Sequence, residues 1–204
     1  PTITCAVPAA SYDADAGECY YTVSGNELDP TASGDNCGVA SVTNSYNGLN
    51  SLAGVQLPVA SHSIRWYVTD IYGNKDSCDI TVVVVDSESP TISCAVPAPS
   101  YNADPGQCYY TVSGNELDPT ASGDNCGVAS VTNSYNGLNS LAGVQLPVAS
   151  HNIRWYVTDI HGNRDSCDIV VLVVDNQDPV ITCPNDTIVS NDAGNCTAVV
   201  NDLT

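Results

Sequence analysis

Apolar and polar residues alternate in several short stretches. In "SHSIRWYVTD" Ile64, Trp66 and Val68 fall on one face, and Arg65, Tyr67 and Thr69 on the other. "CDITVVVVD" likewise puts Cys78, Ile80, Val82 and Val84 together, against Asp79, Thr81, Val83 and Val85. "CYYTVSG" groups Cys19, Tyr21 and Val23. Between these stretches stand turn signals: "DADAG", "LDPTASGDN", "YNGLN" and "YGNKD". No segment keeps a helical period over ten residues. Short strands and frequent turns predict an all-β chain of small antiparallel β-sandwiches. The two tryptophans are expected in the cores, where Tyr and Trp supply all the aromatic volume, because Phe is absent.

The pattern then recurs. Residues 1–89 and 90–178 align without gaps at 13 differences, and Cys19–His62 is identical to Cys108–His151 over 44 residues. "VVVVDSESPTISC" therefore reads as a joint between copies. The expected units are a first repeat at 1–89, a second at 90–178, and the first strands of a third at 179–204. That third piece is either truncated or completed by a neighbouring subunit through strand addition. The linkers are a few residues long and carry a proline, which stiffens them. Short stiff joints make rods.

Charge narrows the setting. Four basic residues face 23 acidic ones, a formal net charge of −19. Such a chain repels nucleic acid and anionic membranes and calls for cations. No apolar run approaches the roughly 20 residues that span a bilayer, so no membrane insertion is expected. With no starting Met and no signal-peptide pattern, the chain is expected to be a mature or excised segment.

Ten cysteines fall at Cys5, Cys19, Cys37 and Cys78, at Cys94, Cys108, Cys126 and Cys167, and at Cys183 and Cys196. None forms C-x-x-C, and no histidine stands at zinc-ligand spacing. Disulfides in an extracellular setting are expected. Four cysteines allow three connectivities. The third copy keeps only its first two, which favours pairing first with second: Cys5–Cys19, Cys37–Cys78, Cys94–Cys108, Cys126–Cys167 and Cys183–Cys196.

The elements "GDNCG", "YVTDIYGNKDSC" and "VVVVDSESPTISC" resemble the hyalin-repeat (HYR) family of immunoglobulin-like modules. The resemblance covers both full copies and the start of the third. It implies tandem immunoglobulin-like, disulfide-stapled sandwiches of seven strands, extracellular, with adhesive or structural roles and no catalysis. "AVPA" follows Cys5 and Cys94 where the family commonly has Cys-Pro, which here stands only at Cys183-Pro184. The first two copies thus look like a specialised pair.

Stacking such sandwiches end to end gathers acids at the joint. Asp86 and Glu88, with Asp13 and Asp15, come from the first copy, and Asp124, Asp159 and Asn163 from the second. Asp175 and Asp178 stand at the next joint. Carboxylates and amides of this kind suit calcium, which takes six to eight oxygens. The same residues populate ordinary turns. "DADAG" alone is weak evidence, since only Asp15, Asp104 and Asp192 persist across the copies.

No nucleophile motif or phosphate loop is present, and His161 stands where the first copy has Tyr72, so no enzyme is expected. The outward faces Asp79/Thr81/Val83/Val85 and Asp168/Val170/Leu172/Val174, and the identical turns Asn50–Pro58 and Asn139–Pro147, are candidate self-association surfaces. Asn185 and Asn195 lie in N-x-[ST] glycosylation patterns, so glycans are possible partners. The expected role is a rod or filament subunit that self-associates into a homopolymer or fibre at a cell surface. The alternative is an adhesin or carbohydrate-recognition module, with Tyr20, Tyr46, Tyr67 and Tyr72 as its aromatic platform.

Overall fold

The computed structural model describes residues 1–183, 188–191, 193, 194, 196 and 197. The first repeat contains β1 (Thr2–Thr4), β2 (Tyr12–Asp13), β3 (Tyr20–Thr22), β4 (Ala32–Gly34), β5 (Val39–Asn44), β6 (Gln56–Pro58), β7 (Ser61–Asp70) and β8 (Lys75–Val85). The second contains β9 (Thr91–Ser93), β10 (Tyr101–Asn102), β11 (Tyr109–Thr111), β12 (Ala121–Gly123), β13 (Val128–Asn133), β14 (Gln145–Pro147), β15 (Ser150–Asp159) and β16 (Arg164–Val174). No helix occurs among the described residues.

One layer of the first sandwich is the four-stranded sheet β2-β8-β7-β5; β3-β6 and β1-β4 form the pairs that face it. The second repeat copies this order as β10-β16-β15-β13, β11-β14 and β12-β9. The fold is an all-β tandem of immunoglobulin-like, disulfide-stapled sandwiches; the alternation predicts the sandwiches, the cysteines the staples and the family resemblance the immunoglobulin-like form. It differs from the seven strands that the family resemblance implies, because the first strand is split. Its first part pairs antiparallel with β4, and "AVPAAS" then carries the chain to the other layer. There β2 runs parallel to the end of β8, with Tyr12 opposite Val84. Pro8 lies in this crossover and has no N–H to give to a sheet.

The inward positions build the cores. Ile64, Trp66 and Val68 of β7 and Ile80, Val82 and Val84 of β8 are buried. Val23, Leu28, Leu52 and Leu57 close the other side. Trp66 and Trp155 are 0% exposed, as expected for core residues. Trp66 stands opposite Cys78 across β7-β8, and Cys78 is bonded to Cys5. Leu52, Leu57, Leu141 and Leu146 are 0% exposed too. The turns Asn50–Pro58 and Asn139–Pro147 thus spend their leucines on the cores and offer no apolar contact surface.

Polar side chains set the turns. The Asn44 amide donates to Asn47 Oδ1 and to the Leu49 carbonyl, and its Oδ1 accepts from the N–H groups of Tyr46 and Asn47. Asp29 accepts from Ser51 Oγ at 2.6 Å and from the Leu52 N–H at 2.8 Å, tying two loops together. Asp70 accepts from the N–H groups of Tyr72 and Asn74 and from the Asn74 amide, which shapes the β7–β8 hairpin.

Candidate functional site at the joint between repeats

The β7–β8 hairpin and the loop before β5 share one pole of a repeat. The loop before β3 and the end of β8 share the other. At the internal joint, the far pole of the first repeat meets the near pole of the second. Asn125 Nδ2 donates to the Glu18 carbonyl at 2.7 Å and reaches Asp86 Oδ1 at 3.4 Å. Asn163 Nδ2 donates to the Asp86 carbonyl at 3.1 Å. His161 Nδ1 lies 3.2 Å from Asp86 Oδ2.

A covalent bond fixes the same contact: Cys19 of the first repeat is joined to Cys126 of the second. The other disulfides run within repeats, Cys5–Cys78 and Cys94–Cys167. Cys37, Cys108, Cys183 and Cys196 are exposed free thiols. This replaces the sequence-based pairings Cys5–Cys19, Cys37–Cys78, Cys94–Cys108, Cys126–Cys167 and Cys183–Cys196. The physical reason is the distance between poles. Cys5 follows β1 and meets Cys78 of β8 across the sandwich, Cys37 sits in the loop before β5 at one pole, and Cys19 precedes β3 at the other, facing the next repeat. A single repeat gives no sign that its second cysteine answers the third of its neighbour.

Carboxylate oxygens of Asp86, Asp124 and Asp159 lie within 4.8 Å of one another. The Asp86 side chain is fully buried. Asp124 Oδ2 accepts from the N–H groups of Cys126 and Gly127, leaving its Oδ1 buried and without a partner. Asn125 Oδ1 is buried and unpartnered as well. Burial pushes the Asp159 carboxyl up, but the Asn163 amide and the N–H groups of Asn163, His161 and Gly162 outweigh it. The carboxyl therefore lies below the ordinary carboxylate range. An orphaned carboxylate oxygen and an orphaned amide oxygen beside two further carboxylates form a hard, all-oxygen donor set, which suits calcium. Cys126 and His161 also approach Asp86, but the Cys126 sulfur is committed to its disulfide and is no thiolate ligand.

Asp86, Asp124, Asp159 and Asn163 thus meet at the joint. The other acids do not join them. Asp13 Oδ1 accepts from Ser87 Oγ. Asp15 Oδ2 accepts from the Thr22 N–H within the loop before β3. Glu88 Oε2 accepts from the Gly17 N–H at 2.9 Å and braces that loop. Asp175 and Asp178 are exposed, and Asp175 Oδ1 accepts from the Gln177 N–H. Sequence reasoning missed Asn125 and His161 as joint residues. Asn125 sits inside the quoted "GDNCG", and His161 is one of only 13 changes between the copies. Asn185 and Asn195 lie outside the described residues.

The tyrosines do not make one platform. Tyr20 belongs to the β3-β6 layer and Tyr67 to the opposite layer; Tyr72 tops a hairpin, and Tyr46 packs edge-on against His62. The face carrying Asp168, Val170 and Leu172 is exposed, as the alternation predicts. On the matching face of the first repeat Arg65 forms a two-pronged ion pair with Asp79, at 2.6 and 2.8 Å.

No family model matches the chain. The chain is similar to Hyalin of Strongylocentrotus purpuratus, 27% identical over 157 residues. The match takes in 72% of this chain and 12% of that protein's length. This similarity bears out the hyalin-repeat resemblance of the joint motifs. Among solved structures, extracellular cadherin domains 1–5 of protocadherin gamma B2 superpose with a TM-score of 0.40 at 11% identity, over 87% of this chain and 40% of that one. The fibronectin(III)-like modules of Clostridium thermocellum CbhA superpose with a TM-score of 0.32 at 14% identity, over 89% and 100%. Among the described residues no helix is long and apolar enough to cross a membrane.

Proposed function

We propose that this chain is a segment of an extracellular adhesive or structural rod. Its units are repeats at 1–89 and 90–178 with a third starting at 179, and its joints are stiffened by calcium and by a disulfide. The observation that carries this reading is the buried convergence of Asp86, Asp124 and Asp159 beside Cys19–Cys126. A covalent bond, four direct inter-repeat hydrogen bonds and a shared cation site leave little freedom at a linker of a few residues. Calcium also offsets the repulsion that a net charge of −19 brings to the joint. Three disulfides support an oxidising, extracellular setting. Self-association into a fibre follows from poles that repeat along the chain. The reading assigns no catalysis.

Electron microscopy of the purified protein, in calcium and then in chelator, tests this. Straight two-lobed particles of constant angle, loosening on chelation, are expected. Bent, variable particles in both conditions contradict the stiffened joint.

A further inference from the structure

We infer that Cys37 and Cys108 are the two open halves of the inter-repeat disulfide already closed at Cys19–Cys126. Each takes as its partner the complementary cysteine of an adjoining repeat. In a solution of this chain alone, that repeat belongs to a second copy of it. The inference rests on the rod reading above and adds a covalent chemistry to its growth.

The internal repeat supplies the comparison. Cys126 occupies the position of Cys37, and Cys108 that of Cys19, inside a stretch identical over 44 residues. The loops that carry these pairs are held alike. The Asp15 N–H donates to the Tyr20 carbonyl, and the Asp104 N–H to that of Tyr109. Glu88 braces the first loop through the Gly17 N–H, and Gln177 braces the second through that of Gly106. At the other pole Val39 stands opposite Asp70 as Val128 stands opposite Asp159, with the same register shift after each. The loop "GDNCG" is unchanged. One difference is exposure: Cys126 and its partner are covered by the joint, whereas Cys37 and Cys108 are open. The acids follow the same logic. Asp86 is buried at the joint, while its counterpart Asp175 is exposed.

The two poles are complementary rather than alike, so the contact is head to tail. Such a contact propagates into an open filament instead of closing as a dimer. The chemistry is thiol–disulfide exchange with a low-molecular-weight disulfide such as oxidised glutathione. The thiolate of one cysteine attacks it and releases one glutathione thiolate. The second cysteine's thiolate then attacks the mixed disulfide and releases the other. Two thiol protons are lost, and one glutathione disulfide is reduced to two glutathiones.

The test uses the full chain with Cys183→Ser and Cys196→Ser, incubated with oxidised and reduced glutathione and run on non-reducing gels. A ladder that collapses with dithiothreitol is expected. Adding Cys37→Ser or Cys108→Ser should leave each protein monomeric, and mixing those two proteins should yield a dimer and nothing larger. Digestion after glutamate should then show fragment 28–88 of one copy bonded to fragment 89–116 of another. Absence of a ladder with both thiols still alkylable would overturn the inference, as would a ladder that survives either single change. Both substitutions are at exposed sites and are expected to leave calcium binding at the internal joint intact. Absence of the ladder in the parent protein, Cys37 and Cys108 intact, with that binding retained sinks this inference alone, whereas loss of calcium binding in the parent protein sinks the rod reading's cation.

Discussion

Asn163, on the last hairpin of the second repeat, donates its side-chain amide to the backbone carbonyl of Asp86, the residue just after the last strand of the first, at 3.1 Å. The contact makes the linker part of both sandwiches at once. Its acceptor is a main-chain atom, so it depends on where the strand ends. The Asp86 carboxylate, freed from that bond, turns toward Asn125, His161 and the other two acids.

Calcium is expected to bind the internal joint with one ion per chain. Asp86→Asn keeps the shape and removes one buried charge, and it should weaken binding at least about tenfold, as ligand charge sets affinity in such sites. Isothermal titration calorimetry on parent and variant checks this. Equal affinity in both would remove Asp86 from the site.

Replacing both Cys5 and Cys78 with alanine opens a disulfide that spans 73 positions. In the chain-entropy account this costs the first repeat about 4 kcal/mol. Urea denaturation followed by Trp66 fluorescence should show the first repeat unfolding well before the second.

Asn44 is 3% exposed and satisfies three backbone groups and one side chain in its turn. Asn44→Ala removes four hydrogen bonds that hold the turn, at net values of about 1 kcal/mol or less each, and should cost roughly 2–3 kcal/mol. Asn47→Ala, in the exposed part of the same turn, should cost less; the urea midpoints of the two variants check the order.

Tyr21 and Tyr110 each have a hydroxyl pushed up to about 12, by burial first and then by the hydrogen bond donated to Glu27 or Glu116. Unfolded tyrosine ionises near pH 10. The folded state therefore holds more protons between those values, and stability falls as pH rises from about 10 through 12. Ultraviolet titration should show two tyrosines ionising late in buffer and with the rest in urea.

The sandwiches were legible because each repeat writes its core as period-two alternation: Ile64, Trp66 and Val68 against Ile80, Val82 and Val84. The poles were legible as well, since turn residues at fixed places in a two-layer sandwich collect Asp86, Asp124 and Asp159. The pairing of cysteines was not. It depends on which pole a loop occupies and on which neighbour it meets, and neither is written in the spacing of Cys5, Cys19, Cys37 and Cys78. Asp15 and Glu88 show a related limit. Their acid character suggested ligands, yet nearby N–H groups claim both carboxylates. The split of the first strand also escaped the pattern, because strands of three residues before "AVPAAS" and two after it are too short to show a period.

The bond between Cys19 and Cys126 ties the two repeats together, and it separates the inter-repeat arrangement from pairing inside a repeat. Cleavage after glutamate under non-reducing conditions isolates Cys19 in fragment 19–27, Cys5 in 1–18 and Cys126 in 117–204. Mass spectrometry should find 19–27 bonded to 117–204, which also carries 89–116 through Cys94–Cys167. Finding it bonded to 1–18 instead would mean that each repeat closes on itself, and the locked joint would fall.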